Sequence, residues 1–191
     1  MRSQRTEKEE KAKRYSFYKK MKKTLEIINE LKKEGLIKEY AIGGAIGVMK
    51  WVEPFFTRDL DIFVIPIQEI SKKEVISFLP MYDYLKGKGY NEWVGQWIII
   101  EGVSVEFLPA EGLAKESVEN AVEVKFEDVK TKVMTHEYLI ALLLRAGRDK
   151  DIRKIEMLLS QTDIDMNRLM EILTKYNLTE KFENFRKKEI K

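Results

Sequence analysis

Asp59 and Asp61 stand one residue apart in the stretch TRDLDIFV. Side chains alternate across a strand, so the two carboxylates share one face while Leu60 and Ile62 share the other. Taking two neighbouring carboxylates out of water without compensation costs on the order of several kcal/mol per ion. A divalent cation removes that cost. Magnesium takes hard oxygen ligands and keeps water and substrate phosphates in its shell. An Asp-x-Asp at a strand start is therefore a platform for a metal–nucleotide complex. Taken alone, the pair equally suits an exposed strand end whose aspartates cap neighbouring backbone.

Two further features bear on the choice. Gly43 and Gly44 close an apolar run and precede a helix-compatible segment. Glycine lets backbone N–H groups approach a phosphate with no Cβ in the way, and a helix N-terminus adds donors and a favourable dipole. A plain strand-to-helix turn would use the same residues. Glu106, in GVSVEFLP, falls on the polar face of a strand whose other face carries Val103, Val105 and Phe107. It is a candidate third acid for activating an acceptor hydroxyl between two metal ions. Glu101 competes with it but sits at the turn before Gly102.

These residues need elements to hold them. Phe17, Met21, Leu25, Ile28 and Leu31 recur at helical spacing, which predicts a helix over 15–34 ended by Gly35. Strands are expected over 37–42, 60–65, 93–101 and 103–108, with a helix over 45–51 between the first two. Ser71 and Glu74 form a capping box for a helix over 72–85, which Pro80 is expected to kink or split. A helix over 111–121 and one or two strand pieces within 122–133 follow. After Thr135 the pattern becomes purely helical, over 137–146, 150–160, 167–176 and 180–188. Strands alternating with helices, then a helical run, indicate a sheet-and-helix core with a border near Val133.

The chain has 191 residues, 44% of them hydrophobic and 35% charged. Without cysteine it has neither disulfides nor thiolate metal sites. No apolar stretch approaches the roughly 20 residues of a membrane span. No apolar segment follows the N-terminal charges, so a cytoplasmic protein is expected. The net charge of +3 conceals an asymmetry, because Met1 to Lys23 holds ten Lys or Arg against three Glu. A basic arm of this kind suits nucleic acid or nucleotide phosphates, and equally a solvated helical tail. His136 is the sole histidine and has no partners for a triad or a histidine metal site, so a structural role is expected.

Glycine pair, helix, Thr-x-Asp-x-Asp strand and later strand acid together resemble the nucleotidyltransferase superfamily of the DNA-polymerase-beta type. GGAIGVMKWVEPFFTRDLDIFV is especially similar to the AbiEii-like branch, bacterial and archaeal transferases that include toxins of toxin–antitoxin pairs. EYLIALLLRAGRDKDIRKIEMLL, from Glu137 to Leu159, resembles that branch's helix–turn–helix with its Arg-x-Lys-Asp turn. The resemblance covers roughly Tyr40 to Leu159 and implies an α+β fold; joined to the pattern above, this gives a mixed sheet flanked by helices over 1–133, including the basic N-terminal helix, with a helical segment over 134–191 packed on it. It implies transfer of a nucleoside monophosphate from a nucleoside triphosphate to a hydroxyl acceptor. Asp59 and Asp61 would bind Mg2+, or Mn2+ in its place. Glu106 would be the third acid, toward the second metal or the acceptor. Gly43 and Gly44 would hold the triphosphate, Thr57 and Arg58 would shape the loop before the aspartates, and Arg148 and Lys150 would meet phosphate. RNA, such as a transfer-RNA end, is the favoured acceptor, reached through the basic arm, with a protein hydroxyl or small alcohol as alternatives. A cognate antitoxin is the implied protein partner. A module of the same fold that binds nucleotide or RNA without turnover is the alternative reading. The chain departs from the family in three places, the first being a gap between Gly44 and Asp59 that is somewhat long for the superfamily. Leu142, Leu143 and Leu144 stand where a lysine is frequent, with Arg145 as a substitute, and Arg153-Lys154 replace a frequent aspartate.

Overall fold

A computed structural model of the protein describes residues 4–55, 57, 59–67 and 78–189, with side chains over 19–187 of these. The order is α1 (Gln4–Lys33), β1 (Ile37–Ile42), α2 (Gly44–Met49), β2 (Asp59–Pro66), α3 (Leu79–Gly87), β3 (Trp93–Val94), β4 (Trp97–Ile100), β5 (Val103–Pro109), α4 (Leu113–Glu119), β6 (Val122–Phe126) and β7 (Val129–Val133). Four helices follow: α5 (His136–Ala146), α6 (Asp149–Gln161), α7 (Met166–Lys175) and α8 (Thr179–Glu189).

The seven strands form one sheet in the order β3-β4-β5-β2-β1-β7-β6. It is mixed: β2 runs parallel to β5 and antiparallel to β1, while β1 runs parallel to β7. This is the α+β architecture expected, with its two faces covered differently. On one face, Met21, Leu25, Ile28 and Leu31 of α1 and Met81 and Leu85 of α3 pack on Leu60, Ile62, Val64, Val103 and Val105. The spacing of the α1 residues puts them on a single stripe, which is why this charged helix docks at all. On the other face, Val48, Leu113 and Leu139 meet Ala41 and Ile65, and the same core continues through Ile155, Leu169, Leu173 and Phe182.

Several local expectations change. α1 begins at Gln4, because the Glu-, Lys- and Arg-rich stretch before Tyr15 favours helix. Pro80 opens α3 instead of kinking it, since a first-turn proline loses no hydrogen bond. The capping box Ser71–Glu74 lies outside the described residues. The strand expected over 93–101 is broken at Gly95, whose φ of +63° turns the chain into a β3–β4 hairpin. A second two-residue turn, Glu101-Gly102, joins β4 to β5 with φ of +52° and +78°. Both values lie in the left-handed region that such turns require. Asp165 caps α7, accepting the Arg168 N–H at 3.0 Å.

Candidate active site

Parallel pairing of β2 with β5 sets Asp59 beside Ser104 and Asp61 beside Glu106. The three acids, distant in the chain, thus share the sheet face opposite Leu60, Ile62, Val105 and Phe107, all of which are buried against α1 and α3. Asp59, Asp61 and Glu106 are half-buried and line one cleft of about 680 Å³. Gly44 and Thr57 line it too, as do Arg148, Lys150, Arg153 and Lys154. Arg58 lies outside the described residues.

The glycines are required by what they touch. Gly43 donates its N–H to the Asp61 carbonyl at 3.0 Å, and a Cβ at position 43 would fall 2.5 Å from the Phe63 ring. A Cβ on Gly44 would lie 1.6 Å from Asp61 Oδ2, at a backbone φ of +52°. The Asp61 carboxylate therefore occupies the space a side chain at 44 would need. The helix that follows is only six residues long, so its dipole adds little to the site.

Burial pushes Asp61 up to about 6, and the charges of Glu106 and Asp59 push the same way, against Arg148 and Lys154. The opposite wall is the start of α6. Asp151, 1% exposed, accepts hydrogen bonds from Arg148 Nε at 2.6 Å and Lys154 Nζ at 2.7 Å. Burial raises this carboxyl, but the two cations outweigh burial and hold it below the usual range. Asp151 thus fixes two cations in the wall facing the acids. The Arg148 guanidinium, for its part, is raised by Asp151 first and also by Asp61 and Glu106.

Among the described residues no group of three or more carboxylate or histidine side chains is gathered closely enough to hold a metal ion by itself. The donor set nevertheless fits magnesium. It offers hard oxygens at a crowded, partly buried carboxylate, in a cleft open enough to admit the water and phosphate ligands that this ion retains.

The cleft also contains residues that motif spacing left out. Arg153, Lys154 and Met157 line it beside the expected Lys150, at the i, i+3, i+4, i+7 spacing of a single helix face. That spacing was the available signal. Trp97, Gln96 and Phe55 line it as well. Arg145 does not line this cleft. It lies near Tyr176, on whose hydroxyl its charge acts. His136 stacks edge-on against Trp51, and its Nδ1 is 2.8 Å from Glu137 Oε1 although the angle does not make a hydrogen bond. It takes no part in the cleft. No helix among the described residues is long and apolar enough to cross a membrane.

Comparison with known proteins bears on the family and the fold. No curated protein matches the sequence. A solved structure described as an antigenic nucleotidyltransferase-like protein from Paracoccidioides brasiliensis superposes with a TM-score of 0.52 at 15% identity, covering 88% of this chain and 90% of that one. At that identity the likeness speaks for the fold alone. The family described as nucleotidyl transferase of unknown function (DUF2204) matches residues 20–190, nearly the whole chain. With sheet, acids and glycine pair placed as above, the chain belongs to this nucleotidyl transferase family.

Proposed function

We propose that the protein is a metal-dependent nucleotidyltransferase. It moves a nucleoside monophosphate from a nucleoside triphosphate to a hydroxyl acceptor. The observation that carries this reading is the register of Asp61 with Glu106 on adjacent parallel strands, facing a cleft whose other wall holds Arg148 and Lys154.

Asp59 and Asp61 would hold a magnesium or manganese ion, with Glu106 beside them. When bound, the ion supplies charge neutralisation at the phosphates and at the entering and leaving oxygens. The chain's own residues do the rest. Arg148, Lys150, Arg153 and Lys154 offset triphosphate charge from the α6 side, where partial exclusion of water strengthens them. Gly44 keeps the phosphate side of Asp61 free of a Cβ. Glu106 orients the acceptor hydroxyl and takes its proton as the new P–O bond forms at the α-phosphorus. The bond from that phosphorus to the β-phosphate oxygen breaks, and pyrophosphate leaves. Positioning and charge neutralisation supply most of the acceleration in reactions of this class.

The +7 stretch from Met1 to Lys23 favours RNA as acceptor. The AbiEii-like resemblance adds a toxin role with an antitoxin partner. The test is incubation with magnesium, each labelled triphosphate and total RNA. Label transfer that Asp59→Ala abolishes is expected. Triphosphate binding without transfer or pyrophosphate release, over RNA, protein and small-alcohol acceptors, would instead leave a binding module. For the toxin role, growth arrest on expression should disappear with the same substitution.

A further inference from the structure

We propose that Trp97 is the acceptor platform: the attacking hydroxyl is brought in by a nucleobase-bearing chain end whose ring stacks on this indole beside Glu106. The assignment of the acceptor to the Glu106 side rests on the transferase reading above. The rest comes from the sheet. Ile98 pairs with Val105 and Ile99 with Ser104, so one more step along the antiparallel ladder brings Trp97 level with Glu106. Alternation then puts Trp97 on the face of the acids, and it lines their cleft. In sheet order Trp97 on β4, Glu106 on β5 and Asp61 on β2 follow one another. Gly44, at the start of α2, lies against Asp61 and not against Glu106, so on the transferase reading the triphosphate side is the Asp61 side. Trp97 stands beyond Glu106, on the opposite side.

What Trp97 shows the cleft is ring carbon. Its indole N–H is buried with no partner among the described residues, so the ring offers a contact surface and not a hydrogen bond. Every base has a π-face, and base-on-aromatic stacking is tolerant of sequence. A small polyol would need several donors and acceptors on this wall, where Gln96 and Glu106 are the polar residues flanking Trp97 along the chain and across to β5. The face continues outward through Val94, Ile99 and Ser104, all at least partly open. Beyond it, at the Glu101-Gly102 turn, α1 brings two lysines from the opposite face of the sheet. The Lys20 ammonium lies 3.2 Å from where a Gly102 Cβ would sit, and Lys23 pairs with Glu101 at 3.4 Å. An apolar ledge beside the third acid complements a stacked base.

The test uses the full chain without divalent metal, so that binding is read apart from turnover. A labelled single-stranded oligoribonucleotide is compared with the same strand bearing an abasic 3′ end, by anisotropy, and each triphosphate is titrated separately. The wild-type chain should prefer the intact end. Trp97→Leu should weaken the intact strand roughly tenfold, the loss of one stacked base, and leave the abasic strand and the triphosphates unchanged. Trp97→Phe should restore most of the loss. No intact-over-abasic preference in the wild-type chain would overturn the proposal without any variant having to fold. So would a loss confined to triphosphate binding, which would put the donor's base on Trp97. If base-dependent binding follows Trp97 while no transfer is ever detected, the platform stands and the transferase reading fails.

Discussion

On the strand wall of the cleft, Asp61 lies with Glu106 and Asp59 beside it, and among the described residues no side chain is hydrogen-bonded to it. On the helix wall, Asp151 is more deeply buried yet is bonded by Arg148 and Lys154. Both are aspartates taken out of water, and their carboxyls move in opposite directions, up to about 6 for Asp61 and below the usual range for Asp151. The difference separates a charge satisfied by the fold from one left for a ligand. Asp151 completes a structure, whereas Asp61 is tolerated at a cost that a bound cation would offset.

The most drastic way to break that contrast is to neutralise the waiting acid. Asp61→Asn should lower nucleotidyl transfer by at least roughly a thousandfold, as for loss of a transition-state charge contact, measured as pyrophosphate release. The same variant should melt higher than the wild-type protein in metal-free buffer at pH 7.5. The folded carboxyl titrates near 6 and the unfolded one near its ordinary 3.8. The folded state therefore holds the proton more tightly, and the charge penalty is absent below 3.8, builds between the two values and is full above 6. At about 1.4 kcal/mol per unit it reaches about 3 kcal/mol as an upper figure. The gain in melting temperature should accordingly vanish at pH 4. A gain that persisted there would mean that packing, not charge, separates the variants.

Breaking the satisfied partner should do the reverse. Asp151→Ala leaves Lys154, whose side chain is 15% exposed, without its anchor. A loss of about 3 kcal/mol in urea unfolding is expected, as for a buried pair that loses one member, together with weaker triphosphate binding. An unchanged unfolding midpoint would show that the two cations do not need this carboxylate. Between these lies Gly44→Ala, which must displace Asp61 Oδ2 and adopt a φ of +52°. A loss of roughly 1–3 kcal/mol should accompany strongly reduced transfer. The smallest effect belongs to Lys150→Ala. This exposed residue should leave stability within about 0.5 kcal/mol and weaken triphosphate affinity several-fold, an effect that fades as salt is raised.

The sequence makes the acids more legible than their surroundings. Alternation within single strands places Asp59 with Asp61 and separates Glu106 from Val105, because the period of two needs no knowledge of neighbours. The register that makes Asp61 and Glu106 adjacent is a long-range fact, set by parallel pairing across some forty intervening residues. Gly44 shows the same limit of local reasoning. Local reasoning assigns its missing Cβ to an incoming phosphate, whereas the closest atom belongs to Asp61. Arg153 and Lys154 look like departures from a motif until the helix face they share with Lys150 is drawn. Pro80 marks a break that the pattern alone places only loosely, and the described helix begins at Leu79.

The Glu101-Gly102 turn carries a consequence for how such a site can diverge. Its two residues fix the count from Trp97 to Glu106. A single insertion or deletion there would rotate one strand of the hairpin by half a period, turning either the indole or the carboxylate away from the cleft and toward α1. Length change at this bend would therefore be punished as severely as loss of a reacting group. Drift should be confined to substitutions, leaving the bend itself as a molecular ruler.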